Sequence, residues 1–349
     1  MITLGIETSC DETSCAILEN GNKIRANIIS SSLAKHKPFG GVVPEIASRH
    51  SLENIQTVYE EALREAKIKQ TDIDLVAVTK GPGLVGSLLV GVSYAKALAF
   101  ALGKPLIGVH HLEAHLASNF ILREKPKKPF IGLVVSGGHT SILYVKNFKY
   151  TELGSTADDA IGEAYDKSAK ILGLGFPGGP VIDRLAQKGN PHAFRFTKPK
   201  VDGKFNFSFS GIKTAVLHMV EGVGAPPPFP SPLRGEGRVG VKWKGKKLHD
   251  LCASFQFHVT SWVIEKTLLA AEEKKVKTIV MGGGVSANSR LRNELERECK
   301  LRGFDLYIPP FQLTLDNAAM IARMGYERYK MGNRSDLRLA ANASLLFSD

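Results

Sequence analysis

An α/β protein of two duplicated lobes facing across a nucleotide cleft is predicted by three observations. Short apolar strands alternate with longer amphipathic helices along the whole chain, the pattern of layered α/β architecture. Two strand–turn–strand units with small polar turns, LGIETSCDETSCAIL from Leu4 and LVVSGGHTSILYV from Leu133, echo one another. Such turns expose backbone N–H groups and hydroxyls, which suits a phosphate gripped from two sides. A further strand, TIVMGG, runs into the glycine-rich start of a helix, where a ligand can lie close to the backbone.

The elements follow in chain order. Apolar runs bounded by turn residues predict strands at ITLGIE, LVAVTK, LIGVH, FIGLVVS, TSILYV and TIVMGG. Between them, helical periodicity predicts helices at HSLENIQTVYEEALREAK, SLLVGVSYAKALAFAL, DKSAKILGL, FQFHVTSWVIEKTLLAAEE and NSRLRNELERECKLRG. The run GSLLVGVSYAKALAFALG carries Lys96 and reads as a buried helix, not a membrane span. From Val223 to Lys247 the chain is rich in Pro and Gly and has no periodicity, so residues 223–247 read as a flexible surface insertion. The lobes are expected at 1–128 plus about 308–349, and at 129–307.

The 349 residues suffice for substantial cores. The N-terminus lacks the basic leader of a signal peptide, so a cytoplasmic protein is expected. Cys10, Cys15, Cys252 and Cys299 form no CxxC pair, which argues against a zinc knuckle or a disulfide framework. A formal charge of +12 favours a polyanionic partner, although +5 of it lies within 223–247.

Candidate chemistry begins at HHLEAHL. His111 and His115 stand at i and i+4 of an expected helix, so both imidazoles project from one face at a separation suited to one metal ion. His110 and Glu113 point elsewhere. Helix packing or capping is the alternative for such a pair. The motif is not HExxH, which argues against a metalloprotease. A carboxylate is needed to complete a two-histidine site, and Asp316 in TLDNAAMIA is the candidate, with an N-cap as its structural alternative. Such ligation suits iron(II), zinc or manganese without choosing among them. In MGGGVSANSRLR, Gly282, Gly283 and Gly284 allow a close ligand, while Ser286 or Asn288 can cap the helix or bind a sugar or base. In GEAYDKSAKILGLGFPGGPVIDRLA, Asp166 and Asp183 are candidate ribose or metal-water contacts, and Gly178 and Gly179 candidates for a close backbone approach.

Taken as an ordered series, GIETSCDETS, GGVVPEIASR, GPGLVGSLLVG, HHLEAH, VSGGHT, DDAIGEAYDK, FPGGP, FSFSGIKT, GGGVSANSRLR and LDNAAMIA closely resemble the bacterial TsaD family, the tRNA adenosine threonylcarbamoyltransferases. That resemblance implies the ASKHA fold of actin and the sugar kinases. It implies transfer of a threonylcarbamoyl group from threonylcarbamoyl-AMP to the N6 amine of the adenosine 3′ of the anticodon, in tRNAs reading codons that begin with A. Position by position, it implies His111, His115 and Asp316 as metal ligands, with one divalent metal per chain, iron(II) first and zinc or manganese as alternatives. It implies Val135, Ser136, Gly137, Gly138 and His139 as the substrate loop, and Asp166, Gly179, Asp183 and Asn288 as further nucleotide contacts. Asp11 and Glu12 are possible auxiliaries, and His139 reads as a hydrogen-bond donor in preference to a proton shuttle. The implied partners are tRNA, a paralogous ASKHA subunit (TsaB) and a small ATPase (TsaE). The segment 223–247 and the tail ANASLLFSD depart from the family pattern. The competing readings are another ASKHA kinase or ATPase, and a non-catalytic scaffold paralogue.

Overall fold

The computed structural model describes residues 1–121, 125–221 and 243–347. Along the chain run β1 (Ile2–Glu7), β2 (Glu12–Glu19), β3 (Lys23–Ser31), α1 (Leu33–His36), α2 (Pro44–Ala66), β4 (Leu75–Gly81), α3 (Val85–Leu102), β5 (Leu106–His110) and α4 (His111–Ala117). Then follow β6 (Phe130–Val135), β7 (Thr140–Lys146), β8 (Lys149–Ser155), α5 (Ile161–Ile171), α6 (Gly178–Ala186), α7 (Ser210–Glu221), α8 (Gly245–Glu273), β9 (Thr278–Gly282), α9 (Ser289–Arg302), β10 (Asp305–Tyr307) and α10 (Ala318–Lys330).

The duplication is written in the sheets. One has the order β3-β2-β1-β4-β5 and the other β10-β9-β6-β7-β8. In each, three strands form an antiparallel meander, and two further strands add in parallel beside its first strand. The parallel additions need helical crossovers, and α3 and α9 precede β5 and β10 accordingly. β1 and β6 are central and buried, so they read as continuous apolar runs. The edge strands β3 and β8 are mostly exposed or half-buried and carry many polar side chains, and β10 has three residues. Their weak apolar signal explains why sequence periodicity missed all three.

α10 joins the halves. Ala318, Ala319 and Ala322 pack with Ala16 and Leu18 of the first sheet, while Met320, Ile321 and Met324 enter a core shared by Ala77 and Val109 of the first sheet and Val134 and Leu143 of the second. Contact with β1 is close enough that a Cβ on Gly5 would lie 2.2 Å from the Ala318 carbonyl oxygen.

Three expectations need correction. α3 is only one-third buried: it packs against α2 and β4 but leaves Val85, Leu89 and Phe100 exposed. By length and composition alone it is the one described helix that passes as a membrane span. α8 begins at Gly245, ten residues before the expected start, so Lys246 and Lys247 belong to a helix and not to an irregular insertion. There Lys247 sits over the Trp243 ring, which contacts Phe194. Residues 222–242, the bulk of the expected insertion, lie outside the described residues. Finally, α2 starts at Pro44, where proline suits the first helical turn.

Candidate active site and metal centre

His110 makes the switch from strand to helix. Its backbone is extended, and its Nδ1 accepts the Leu112 N–H at 3.2 Å, capping α4. The next residue, His111, therefore opens the helix and His115 follows one turn later, both buried. Their Nε2 atoms lie 3.1 Å apart. Asp316 approaches from the other end of the chain, with Oδ1 at 3.2 Å from His115 Nε2 and 3.6 Å from His111 Nε2.

Asp316 is not the cap of α10. That role falls to Asn317, whose side chain accepts the Met320 N–H at 3.2 Å. The first sheet fixes this junction, since Ser14 Oγ accepts the Ala318 N–H at 2.9 Å. Asp316 is left free to face the histidines.

Two imidazoles and one carboxylate are a donor set for a borderline divalent cation. The geometry fits: a circle through the three donor atoms has a radius of about 1.9 Å, so a point slightly out of their plane lies at a metal–ligand distance of about 2.1 Å from all three. His115 Nδ1 has no partner among the described residues, so that side chain engages only through the triad. Behind His111 stands Glu7, fully buried, whose Oε2 lies 3.1 Å from His111 Nδ1 and accepts the Thr79 hydroxyl at 2.6 Å. Ser9 Oγ is 3.2 Å from the same Nδ1.

Electrostatics separate the two rings. Burial works against a charge on His111, but Asp316 and Glu7 outweigh it and raise its pKa to about 9. Burial and the charge on His111 lower the pKa of His115. Burial opposes ionisation of Asp316, but the two histidines reverse this and hold it below the usual carboxylate range. Burial, Asp11 and Asp316 together push Glu12 up to about 10. His139 falls to about 4, through burial and then its proximity to His111 and His115, so its ring is neutral at pH 7.

Both polar turns converge on the triad. The β6–β7 turn closes on itself, with Ser136 N–H donating to the His139 carbonyl at 2.8 Å and His139 N–H donating to Ser136 Oγ at 3.1 Å. Val135 is buried at the end of β6, whereas Gly137 and Gly138 are exposed and have open space where a Cβ would point. The N-terminus of α5 abuts this turn, with Gly162 N–H donating to the Ser136 carbonyl at 3.2 Å.

The remaining expected contacts form a second cluster on α5, α6, α8 and α9. Asp183 accepts Gln256 Nε2 at 2.8 Å and Ser289 Oγ at 2.7 Å. Gln256 Oε1 in turn accepts Asn288 Nδ2 at 3.0 Å. Asn288 caps α9 through Leu291 N–H, so of the two expected caps it is Asn288 and not Ser286 that acts. Asp166 accepts the Gly178 N–H at 2.7 Å; burial raises its pKa against the effect of that bond and of Gly179.

Three glycine readings change. Gly282 and Gly283 are small because the chain itself comes close: a Cβ would lie 2.5 Å from the His115 carbonyl oxygen in the first case and 2.4 Å from that of Val135 in the second. Gly283 also has a φ of +96°, which disfavours any side chain. Gly178 likewise meets Ala169 of α5, while Gly179 has open space. Sequence reasoning missed Glu7, Ser9, Thr79 and Gln256. The available signal was polarity in an apolar context: an acid ending the strand ITLGIE and a glutamine inside the buried run ASFQF.

The model of the family described as tRNA N6-adenosine threonylcarbamoyltransferase matches residues 23–323. Proteins of that name from Dictyoglomus turgidum and Thermosipho melanesiensis are each 49% identical, over 100% of both chains in the first case and 99% of both in the second. Among solved structures, T. kodakarensis HypF superposes with a TM-score of 0.61 at 15% identity, over 95% of this chain and 48% of that one. The Acidaminococcus fermentans (R)-2-hydroxyglutaryl-CoA dehydratase component A gives 0.51 at 16% identity, over 95% and 99%. These structural likenesses show the fold alone, and it is the ASKHA fold. With a family match across most of the chain and half of all residues identical over full length, the chain belongs to the tRNA N6-adenosine threonylcarbamoyltransferases, acyltransferases that act on tRNA.

Proposed function

We propose that the chain takes the threonylcarbamoyl group from threonylcarbamoyl-AMP and passes it to N6 of the adenosine 3′ of the anticodon, in tRNAs reading codons that begin with A. His111, His115 and Asp316 hold one divalent cation for this reaction, iron(II) in first place, with zinc or manganese as alternatives. The observation that carries the reading is the convergence of these three donor atoms beside both polar turns.

The donor is a mixed anhydride. N6 attacks the carbamoyl carbon, the C–O bond to phosphate breaks, AMP leaves with the electron pair, and N6 gives up a proton. When bound, the cation supplies Lewis-acid stabilisation of charge developing on carbonyl or phosphate oxygen. The chain's own groups orient the donor. Gly137 and Gly138 leave open space where side chains would stand, so the phosphate can approach the backbone of this turn, and neutral His139 contributes a hydrogen bond. Asp166, Gly179, Asp183 and Asn288 take the nucleoside, with Gln256 tying Asp183 to Asn288. Asp11 and Glu12 are auxiliaries. We assign no side chain as general base.

Residues 1–128 with about 308–349 form one lobe and 129–307 the other, a division supported by the sheets, whose strands fall within 2–110 and 130–307. The chain works in the cytoplasm with a TsaB-like paralogue and a TsaE-like ATPase. A paralogue of the same fold would present an equivalent helix to the exposed apolar stripe of α3, Val85, Leu89 and Phe100.

The reading is tested by incubating the chain with threonylcarbamoyl-AMP, tRNA and the two partner proteins, with mass spectrometry of digested tRNA. Threonylcarbamoyladenosine is expected from the wild type and not from His111→Ala/His115→Ala, which should also lose bound metal. Full metal content in that variant would refute the centre. Absence of product from the wild type would refute the transfer.

A further inference from the structure

A cavity on another face of the fold is lined by none of the triad residues. A space of about 510 Å³ opens between β5, at one edge of the first sheet, and β8, at one edge of the second. Its position is set by the fold: the two edges approach without pairing, and the segment after α10 covers part of β5, with Ser335 N–H donating to the Leu106 carbonyl at 2.8 Å.

Four cations line the cavity, Lys80, Lys149, Arg328 and Arg334, against one acid, Glu113. Glu113 is matched by Arg328 at 2.6 Å. Arg334 is held with its guanidinium 3.4 Å from the Tyr329 ring centroid, its Nη1 donating to the carbonyls of Tyr329 and Asn333. Lys80 and Lys149 have no ion pair among the described residues. Three positive charges thus remain uncompensated in a concavity, where the field is focused and an anion is favoured.

The opposite component of the wall is aromatic and preformed. Phe347 stacks on His110 at 4.7 Å and 17°, and lies 6.4 Å from the Tyr150 ring at 20°. The volume is that of a small organic ligand and is excessive for a bare phosphate ion.

We propose that this inter-sheet cavity is a second ligand site, which binds a nucleoside phosphate: the base against the aromatic wall and the phosphate against Lys80, Lys149 and Arg334. The ligand is either a free nucleotide or a nucleotide of an RNA chain. Its occupancy is read by α4, because His110 caps that helix and Glu113 lies on it.

The test is titration of the full-length chain with ADP by calorimetry and with tRNA by fluorescence anisotropy, in the wild type and in Lys80→Ala/Lys149→Ala. A control removes Lys188 and Lys300, which are exposed elsewhere. Loss of ADP affinity by about tenfold or more in the first variant alone establishes the free nucleotide as ligand. An equal loss confined to tRNA establishes the RNA nucleotide. Unchanged affinity for both, or an equal effect of the control, overturns the proposal. Should the double variant misfold, Lys149→Glu, at an exposed position, is judged by the same outcomes.

Discussion

His111 shows how one buried ring is set up from two sides. With Nε2 turned to Asp316 and His115, its Nδ1 proton is committed to Glu7, so tautomer and ring orientation are fixed together. Glu7→Gln keeps the size but removes the charge that supports this ring. Metal affinity is expected to fall about 10- to 100-fold, as read by competition with a chelator. If the affinity does not move, Glu7 is a structural acceptor for Thr79 and Ser9 only. Asp316→Asn separates ligation from capping: because Asn317 holds the cap, thermal unfolding should keep its cooperativity while metal retention drops.

At the scale of elements, the start of α10 carries more than one function. Asn317→Ala removes the acceptor for Met320 N–H and is expected to cost about 1 kcal/mol in denaturant unfolding. It should lower metal retention less than Asp316→Asn does. Asp158 performs a similar service for α7, accepting Ser208 Oγ at 2.5 Å, Phe209 N–H at 2.7 Å and Ser210 Oγ at 2.7 Å. Partial burial opposes its ionisation, but these donors prevail and lower its pKa. A carboxylate depressed in the folded state stabilises above its unfolded pKa of about 4 and loses that contribution as pH falls through the folded value. The melting temperatures of wild type and Asp158→Asn should therefore differ most above pH ~4 and converge below it. The side chain is exposed, so solvent limits the difference to about 1 kcal/mol.

For the whole molecule, the decisive contact is α10 lying on the first sheet through small residues. Gly5 faces the Ala318 carbonyl, and a Cβ on Gly325 would lie 2.3 Å from that of Ala77. Gly5→Ala has no room, because its neighbours are backbone, so α10 must move. A loss of about 2 kcal/mol is expected in denaturant unfolding. Reduced metal retention should accompany it, because Asp316 stands two residues ahead of the helix.

Much of this molecule was legible before its fold was known. The buried strands, the two polar turns and the i, i+4 histidines depend on local periodicity, which a chain displays wherever it packs. The sequence by itself therefore determined the α/β class, the duplication and, through the ordered motif series, the family. Other features had no local cause. Edge strands β3, β8 and β10 exist because a neighbouring strand offers hydrogen bonds, and α3 is only one-third buried because the described residues leave its outer face uncovered. Only the tertiary structure decided that Asp316 faces the histidines while Asn317 caps, that Glu7 supports His111, and that Gly282 and Gly283 admit the chain's own backbone. Each of these pairs residues far apart in sequence, and what joins them is burial, where an unpartnered charge or an added methyl group is costly.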